Sequence, residues 1–195
     1  MKKEIIIIGT GGHSSSMTDL IKSTKKFIIL GFLCNKKKIG SYYLNYKILG
    51  NDNYLKEIKK KPLIALGFSS YKNLSNYKKQ YLKIKSMGFK IPNLISPFSY
   101  VSTNSSIGEG VNIFHGAIVN NNCFIGNGVT INSRALIEHD CVIDDFCHIS
   151  TGCILNGGVR VNKKTFIGSG SIIRENIKIF KKKFIKISSL IINNI

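Results

Sequence analysis

The sequence predicts an α/β N-terminal domain with a small parallel sheet, followed by a left-handed parallel β-helix of hexapeptide repeats. Two observations carry this. The first is a six-residue clock of aliphatic residues in the second half of the chain, and the second is an alternation of short apolar runs and helical patterns in the first half. At 195 residues the chain has room for one large domain or two small ones. Its 43% apolar and 20% charged composition suits buried cores rather than intrinsic disorder.

The clock is read from Ile95 in steps of six: Ile95, Val101, Ile107, Ile113, Val119, Ile125, Ile131, Ile137, Ile143, Ile149, Leu155, Val161, Ile167, Ile173 and Ile179. Two residues before these stands a second column, mostly small, which includes Ser105, Ala117, Cys123, Ala135, Cys141, Cys147, Cys153 and Ser171. Neither the 3.6-residue helical period nor plain strand alternation gives this spacing. Three flat faces of six residues do, closing a turn of about eighteen residues with the aliphatic side chain inward. Gly or Asn follows the aliphatic residue at Gly108, Asn120, Gly126, Asn132, Asn156, Asn162 and Gly168. These are expected to be corners with left-handed backbone angles. Four of the five cysteines fall in the small inward column, which makes them compact core fillers. With no CxxC pair and an odd count, nothing points to an oxidising compartment.

In the first half, Ile5 to Ile8 form a strand ending in Gly9-Thr10-Gly11-Gly12-His13, after which Ser14 to Ser16 are expected to cap a helix running to about Ser23. Apolar runs at Phe27–Leu33 and Leu63–Gly67 supply two more strands, and Leu74–Met87 a helix. Strands alternating with helices imply a parallel sheet with its ligand site at the carboxyl ends, where Gly9, Gly11, Gly12, Asn35 and Ser69 gather. A glycine turn opening a helix offers backbone N–H groups to phosphate oxygens. The third glycine of a dinucleotide fingerprint is missing, since Ser14 follows His13, which argues against NAD. The expected domains are thus 1–90, 91–180 and a basic tail over 181–195.

The net charge is +19, from 29 basic and 10 acidic residues. Its distribution argues against a nucleic-acid partner: residues 91–162 carry a net −3, and only three bases are Arg. No apolar run is long enough to span a membrane and none reads as a signal peptide, so neither stable membrane insertion nor secretion is expected and the default location is cytoplasmic.

Gly11-Gly12-His13, then Pro92-Asn93-Leu94-Ile95, then hexapeptides containing Ile137-Glu138-His139-Asp140-Cys141 and Cys147-His148-Ile149-Ser150, form a series that resembles the sialic-acid O-acetyltransferase and nucleotide-aminosugar N-acetyltransferase family. The resemblance runs from about residue 3 to residue 175 and is most specific over Asn132–Ser150. It implies a nucleotide-sugar-binding domain on a β-helix, a homotrimer, acetyl-CoA as co-substrate, and a nucleotide-sugar or sialic-acid-like acceptor. Residue by residue it implies His139 as general base, Asp140 as its orienting carboxylate, and Asn132 as a contact to the acceptor. It implies that Gly11, Gly12, His13 and Asn35 line the sugar nucleotide, and that His148, Gly157 and Gly158 lie on the acetyl-CoA side, with no metal. The chemistry suits the roles: imidazole takes a proton near neutral pH and a neighbouring carboxylate fixes its tautomer. In the hexapeptide grid both His139 and His148 point outward.

The chain departs from the family in having Cys34-Asn35 where an acidic residue often follows the second strand, and Lys72 where many relatives have Arg. The closing Gly-Val-Pro-Ala-Lys segment is replaced by a lysine-rich stretch, Phe180 to Lys186, whose lysines are read either as solvated or as contacting CoA phosphates. Besides N-acetylation, three readings stay open: O-acetylation of sialic-acid-like sugars, a zinc lyase using His115, His139 and His148, and a non-catalytic sugar-nucleotide-binding relative.

Overall fold

The structure, a computed structural model, describes residues 1–51, 53–68 and 74–195. The chain divides into two compact units, Met1–Ser70 with Lys79–Pro92 and Tyr71–Lys78 with Asn93–Ile195.

The first unit is built on strands β1 (Lys3–Ile8), β2 (Phe27–Leu33), β3 (Tyr42–Tyr43), β4 (Tyr46–Gly50) and β5 (Leu63–Leu66), in the order β3-β4-β2-β1-β5. β1 lies between β2 and β5 and is parallel to both, which is why Ile5, Ile6 and Ile7 are buried as a continuous run rather than alternately. Helices α1 (Gly12–Ser23), α2 (Tyr54–Glu57) and α3 (Leu74–Ser86) accompany the sheet elements in sequence. α1 turns Ser14, Met17, Thr18, Leu20 and Ile21 inward. Its start differs from the sequence expectation: the cap is Gly11 with no side-chain hydrogen bond, not a serine. Ser14 is already one turn inside the helix, where its hydroxyl donates to the Gly67 carbonyl at 2.6 Å. The β3–β4 hairpin was not foreseen, because Leu44 and Asn45, both at positive φ, make its two-residue turn without a glycine.

In the second unit, two-residue strands from β6 (Leu94–Ile95) through β22 (Leu190–Ile191) recur every six residues and stack into three parallel sheets. Registers such as Phe124↔Val142 and Thr130↔His148 set one turn at 18 residues. The aliphatic clock lines the interior, and Ile113 to Ile179 are fully or nearly fully buried. Each such side chain contributes roughly 1.5–3 kcal/mol relative to exposure.

The inward small column has a second duty. The thiols of Cys123, Cys141, Cys147 and Cys153 donate to the carbonyls of Glu138, Asn156, Asn162 and Gly168 at 3.0–3.2 Å, each 15 residues ahead. Ser105, Thr165 and Ser171 do the same with hydroxyls. Burial pushes the Cys147 thiol up to about 12, so it stays protonated as a donor.

Two expectations are corrected. Residues 181–195 are not a tail: Phe184–Ile185 pairs with Phe166–Ile167 and Leu190–Ile191 with Ile172–Ile173, so the coil continues because Ile185 and Ile191 keep the clock. The left-handed corners lie three residues after the aliphatic position, not one. Positive φ recurs at every sixth residue from Gly110 to Ser188, including Asn122, Arg134, Asp140 and Phe146. Glycine follows the aliphatic residue for a different reason: a Cβ on Gly126 or Gly168 would lie 2.6 Å from the backbone nitrogen of Asp145 or Ile187 in the next coil.

Candidate active site

The corner between strands Leu136–Ile137 and Val142–Ile143 carries Glu138, His139 and Asp140. Asp140 occupies a left-handed position, φ +61, and turns its carboxylate back onto the preceding ring: Oδ2 lies 2.7 Å from His139 Nδ1. Its other oxygen accepts from Asn122 Nδ2 at 2.6 Å, one coil turn earlier. Both dyad side chains are more than half exposed, so the ring is open to an incoming molecule. With Nδ1–H donated to the carboxylate, Nε2 carries the lone pair. The hydrogen bond to Asp140 raises the His139 pKa, and the same bond, helped by Asn122, lowers that of Asp140. The free edge of the ring lies over Gly157, one turn later, where a Cβ would stand 2.7 Å from Cε1 and 2.8 Å from Nε2.

The other candidates fall elsewhere. His148 lies in strand His148–Ile149, on another face from His139, and points away from the interior cluster as expected. It is nevertheless buried, and its ring packs against Phe166, tilted by 34° with centroids 5.2 Å apart. Asn132 uses Oδ1 to accept the Ser133 N–H at 2.8 Å, so that atom serves its own turn. Gly157 floors the His139 ring, while the N–H of Gly158, at φ +71, donates to the His139 carbonyl at 2.9 Å. His115 Nδ1 lies 2.6 Å from Ser96 Oγ, so the three coil histidines have separate partners. Among the described residues, no group of three or more His, Cys, Asp or Glu is arranged to hold a metal ion.

In the first unit the strand ends converge. Gly9 N donates to Leu33 O at 2.9 Å and Gly67 N to Ile8 O at 2.8 Å. Thr10 Oγ1 lies 3.1 Å from Cys34 Sγ, with Asn35 exposed just beyond. Gly11 and Gly12 are exposed, and a Cβ on either would meet nothing within 4 Å among the described residues. The Tyr43 hydroxyl holds the Gly11 carbonyl at 3.0 Å. Among the described residues nothing covers the first N–H groups of α1, and no acidic side chain stands in its first turn. Burial pushes His13 down to about 4, which keeps it neutral there. Ser69 and Lys72 lie outside the described residues.

Residues 4–74 match the PglD N-terminal domain family. No curated protein matches the chain significantly. Among solved structures, the acetyltransferase domain of PglB from Neisseria gonorrhoeae FA1090, in complex with acetyl coenzyme A, is 26% identical, with a TM-score of 0.90 over 100% of this chain and 93% of that one. The family resemblance read from the sequence is borne out. A histidine-to-asparagine mutant of perosamine N-acetyltransferase from Caulobacter crescentus, in complex with CoA and GDP-perosamine, shares the fold at 22% identity. Its TM-score is 0.89, over 98% of this chain and 90% of that one. WeeI from Acinetobacter baumannii AYE shares it at 17% identity and a TM-score of 0.80, over 98% and 92%.

One neighbour of the dyad, Asn122, escaped the sequence reading, and Gly157 was named there only for the acetyl-CoA side and not for its place beside His139. Each lies 18 residues from its partner, Asp140 and His139. Adding or subtracting one coil turn from the histidine motif gives both contacts.

Proposed function

We propose that the protein is an acetyl-CoA-dependent acetyltransferase that N-acetylates a nucleotide-linked amino sugar, in surface-glycan biosynthesis, with His139 as general base. The observation that carries this reading is the exposed His139–Asp140 pair at 2.7 Å. Asp140 holds Nδ1–H, so Nε2 can accept the proton that an amine loses as it attacks a thioester carbonyl. Asn122 holds the second carboxylate oxygen and keeps it from swinging away. Acetyl-CoA supplies the activated acyl group: as the C–N bond forms the C–S bond breaks, and the CoA thiolate leaves as the free thiol with the proton that His139 took up. The coil cysteines, inward and hydrogen-bonded, are unsuited to carry it, so transfer is direct. The open glycine end of α1 is suited to the diphosphate of the acceptor.

The protein is further proposed to be a homotrimer. One sheet of the coil presents an outward column of Tyr100, Ile118, Leu136, Ile154, Ile172 and Leu190 in consecutive register, an apolar stripe suited to a second copy. Strand Leu136–Ile137 of that sheet leads directly into the His139 corner.

The test is a thiol-release screen with acetyl-CoA against UDP- and GDP-linked amino sugars and free sialic acids, with product mass. One acetyl added to a nucleotide amino sugar, as an alkali-stable amide, is the expected result. An alkali-labile ester on a sialic acid would move the acceptor atom to oxygen, and no thiol release with any acceptor would sink the enzyme reading.

A further inference from the structure

The candidate active-site corner carries two carboxylates that are engaged to different degrees. Asp140 uses both oxygens inside the protein: Oδ2 lies 2.7 Å from His139 Nδ1, and Oδ1 accepts from Asn122 Nδ2 at 2.6 Å. Glu138, on the other side of the histidine in sequence, is held at one oxygen, where Oε2 accepts from Asn120 Nδ2 at 2.9 Å. Among the described residues its Oε1 has no donor, and no lysine or arginine pairs with it. In a chain with 29 bases against 10 acids this sets Glu138 apart from Glu4, paired with Lys60, and Asp145, paired with Lys163. The coil explains the difference. One turn before and one turn after Glu138 stand Asn120 and Asn156, and Asn156 turns its Nδ2 onto the Ile173 carbonyl at 2.9 Å. Gly157 and Gly158 bring no side chain to the next corner. Asn120 thus aims a partly buried carboxylate whose second oxygen remains for a cation from outside. The charge of Glu138 also reaches the imidazole: the His139 pKa is raised first by the Asp140 hydrogen bond and further by Glu138.

We propose that Glu138 is the residue by which this site selects an amine over a hydroxyl, its free oxygen accepting from the ammonium of the acceptor and holding that nitrogen beside His139. The inference rests on the acetyl-transfer reading. A sugar amine titrates near the α-amino range, about 8, so at neutral pH most of the acceptor carries a positive charge that a hydroxyl lacks. The bound ammonium first releases one proton to water. The neutral amine then gives a second to His139 as the C–N bond forms and the C–S bond breaks, and His139 passes it to the leaving thiolate. The titratable groups around Glu138 are His139 and Asp140 in its own corner, Cys123, whose thiol donates to the Glu138 carbonyl at 3.0 Å, Cys141 one turn after Cys123, and Arg174 two turns on in its own column.

The test is the KM for the acceptor, from thiol release at saturating acetyl-CoA with each UDP- and GDP-linked amino sugar of the screen above, at about pH 7 and about pH 9.5. Glu138→Gln keeps the shape and the acceptor for Asn120 but removes the charge. It is expected to raise that KM about tenfold at the lower pH, the scale of one charge-assisted hydrogen bond, and to lose most of this difference at the higher pH, where the amine is neutral. The KM for acetyl-CoA and the melting temperature should stay at wild-type values. Asn120→Ala keeps the charge but frees the carboxylate, and should raise the acceptor KM by a smaller factor, about threefold. A wild-type KM in Glu138→Gln, or a rise that is the same at both pH values, overturns the proposal and leaves acetyl transfer standing. Transfer to hydroxyl sugars as efficient as to their amino counterparts does the same. If Glu138→Gln melts early, Asn120→Ala decides, and a wild-type KM there overturns the proposal. No thiol release by the wild type with any amino sugar removes the acetyl-transfer reading and this inference together.

Discussion

The two units assemble their candidate groups by different means. In the coil the partners of the dyad lie one turn away: Asn122 from Asp140 and Gly157 from His139, both 18 residues apart, the spacing at which the strands pair. In the α/β unit nothing is periodic. Ser14 reaches Gly67 across 53 residues, and Thr10 reaches Cys34 across 24. The coil corners share one left-handed backbone from residue 110 to residue 188, so chemistry there rides on side chains that differ upon an unchanging frame. At the α1 end the backbone itself is the candidate ligand, and side chains matter by being absent. Substitutions should therefore act on chemistry in the first case and on ligand affinity or stability in the second.

The largest effect is expected from His139→Ala, which should lower turnover by roughly two to four orders of magnitude, the scale of general-base catalysis. The exposed ring contributes little to folding, so the melting temperature should hold. Wild-type rates of thiol release in that variant would remove the dyad from the mechanism. Gly157→Ala comes next. Its Cβ would enter the space of the imidazole edge and push Nε2 off its line, at a cost of about tenfold to a hundredfold in kcat. The solvent side is open, so the ring can move without unfolding the corner. If kcat is unchanged, the observed ring position is not the working one.

Asp140→Asn separates orientation from charge. Asp140 raises His139 above its ordinary pKa of 6.5, and the working base is the neutral form, so activity should climb with pH through that raised value. Removing the carboxylate charge lowers the histidine pKa and moves the acid limb of the kcat/KM profile to lower pH, while kcat falls by about tenfold as the tautomer is lost. Asn122→Ala should cause a smaller loss, because the Asp140–His139 bond survives its removal. An acid limb that stays in place in Asp140→Asn would show that the titrating group is not His139.

How much of this was legible follows from the same contrast. The aliphatic clock announced nearly every coil strand, because a side chain that must point inward at each sixth residue leaves its mark on composition. Ile185 and Ile191 keep that mark, yet the lysines around them disguised a further coil as a tail. His139 and Asp140 were readable because they are neighbours in sequence; the contacts of Asn122 with Asp140 and of Gly157 with His139 were not, because they exist only after the chain has gone once around. The outward side of His148 was predicted by the grid, but its packing against Phe166 depends on which residue the next turn supplies. In the first unit the glycine turn was visible. The start of α1 was misplaced because a serine run looks like a cap until tertiary structure gives Ser14 another acceptor.

That serine yields the smallest and cleanest contrast. Ser14 is fully buried, and its hydroxyl holds the Gly67 carbonyl, tying the end of β5 to the first turn of α1. Ser14→Ala should cost about 1–2 kcal/mol in urea unfolding, since it strips a buried carbonyl of a donor. Gly11→Ala should be within about 0.5 kcal/mol of wild type, because its Cβ meets nothing within 4 Å among the described residues and its φ of −96° suits any residue. If the glycine end of α1 receives the acceptor diphosphate, that same methyl stands where phosphate oxygens must approach. KM for the nucleotide sugar should then rise by about tenfold with kcat at saturation preserved. A Gly11→Ala enzyme with unaltered KM would move the acceptor's phosphates away from this helix end, and a Ser14→Ala protein as stable as wild type would mean the β5 carbonyl finds water instead.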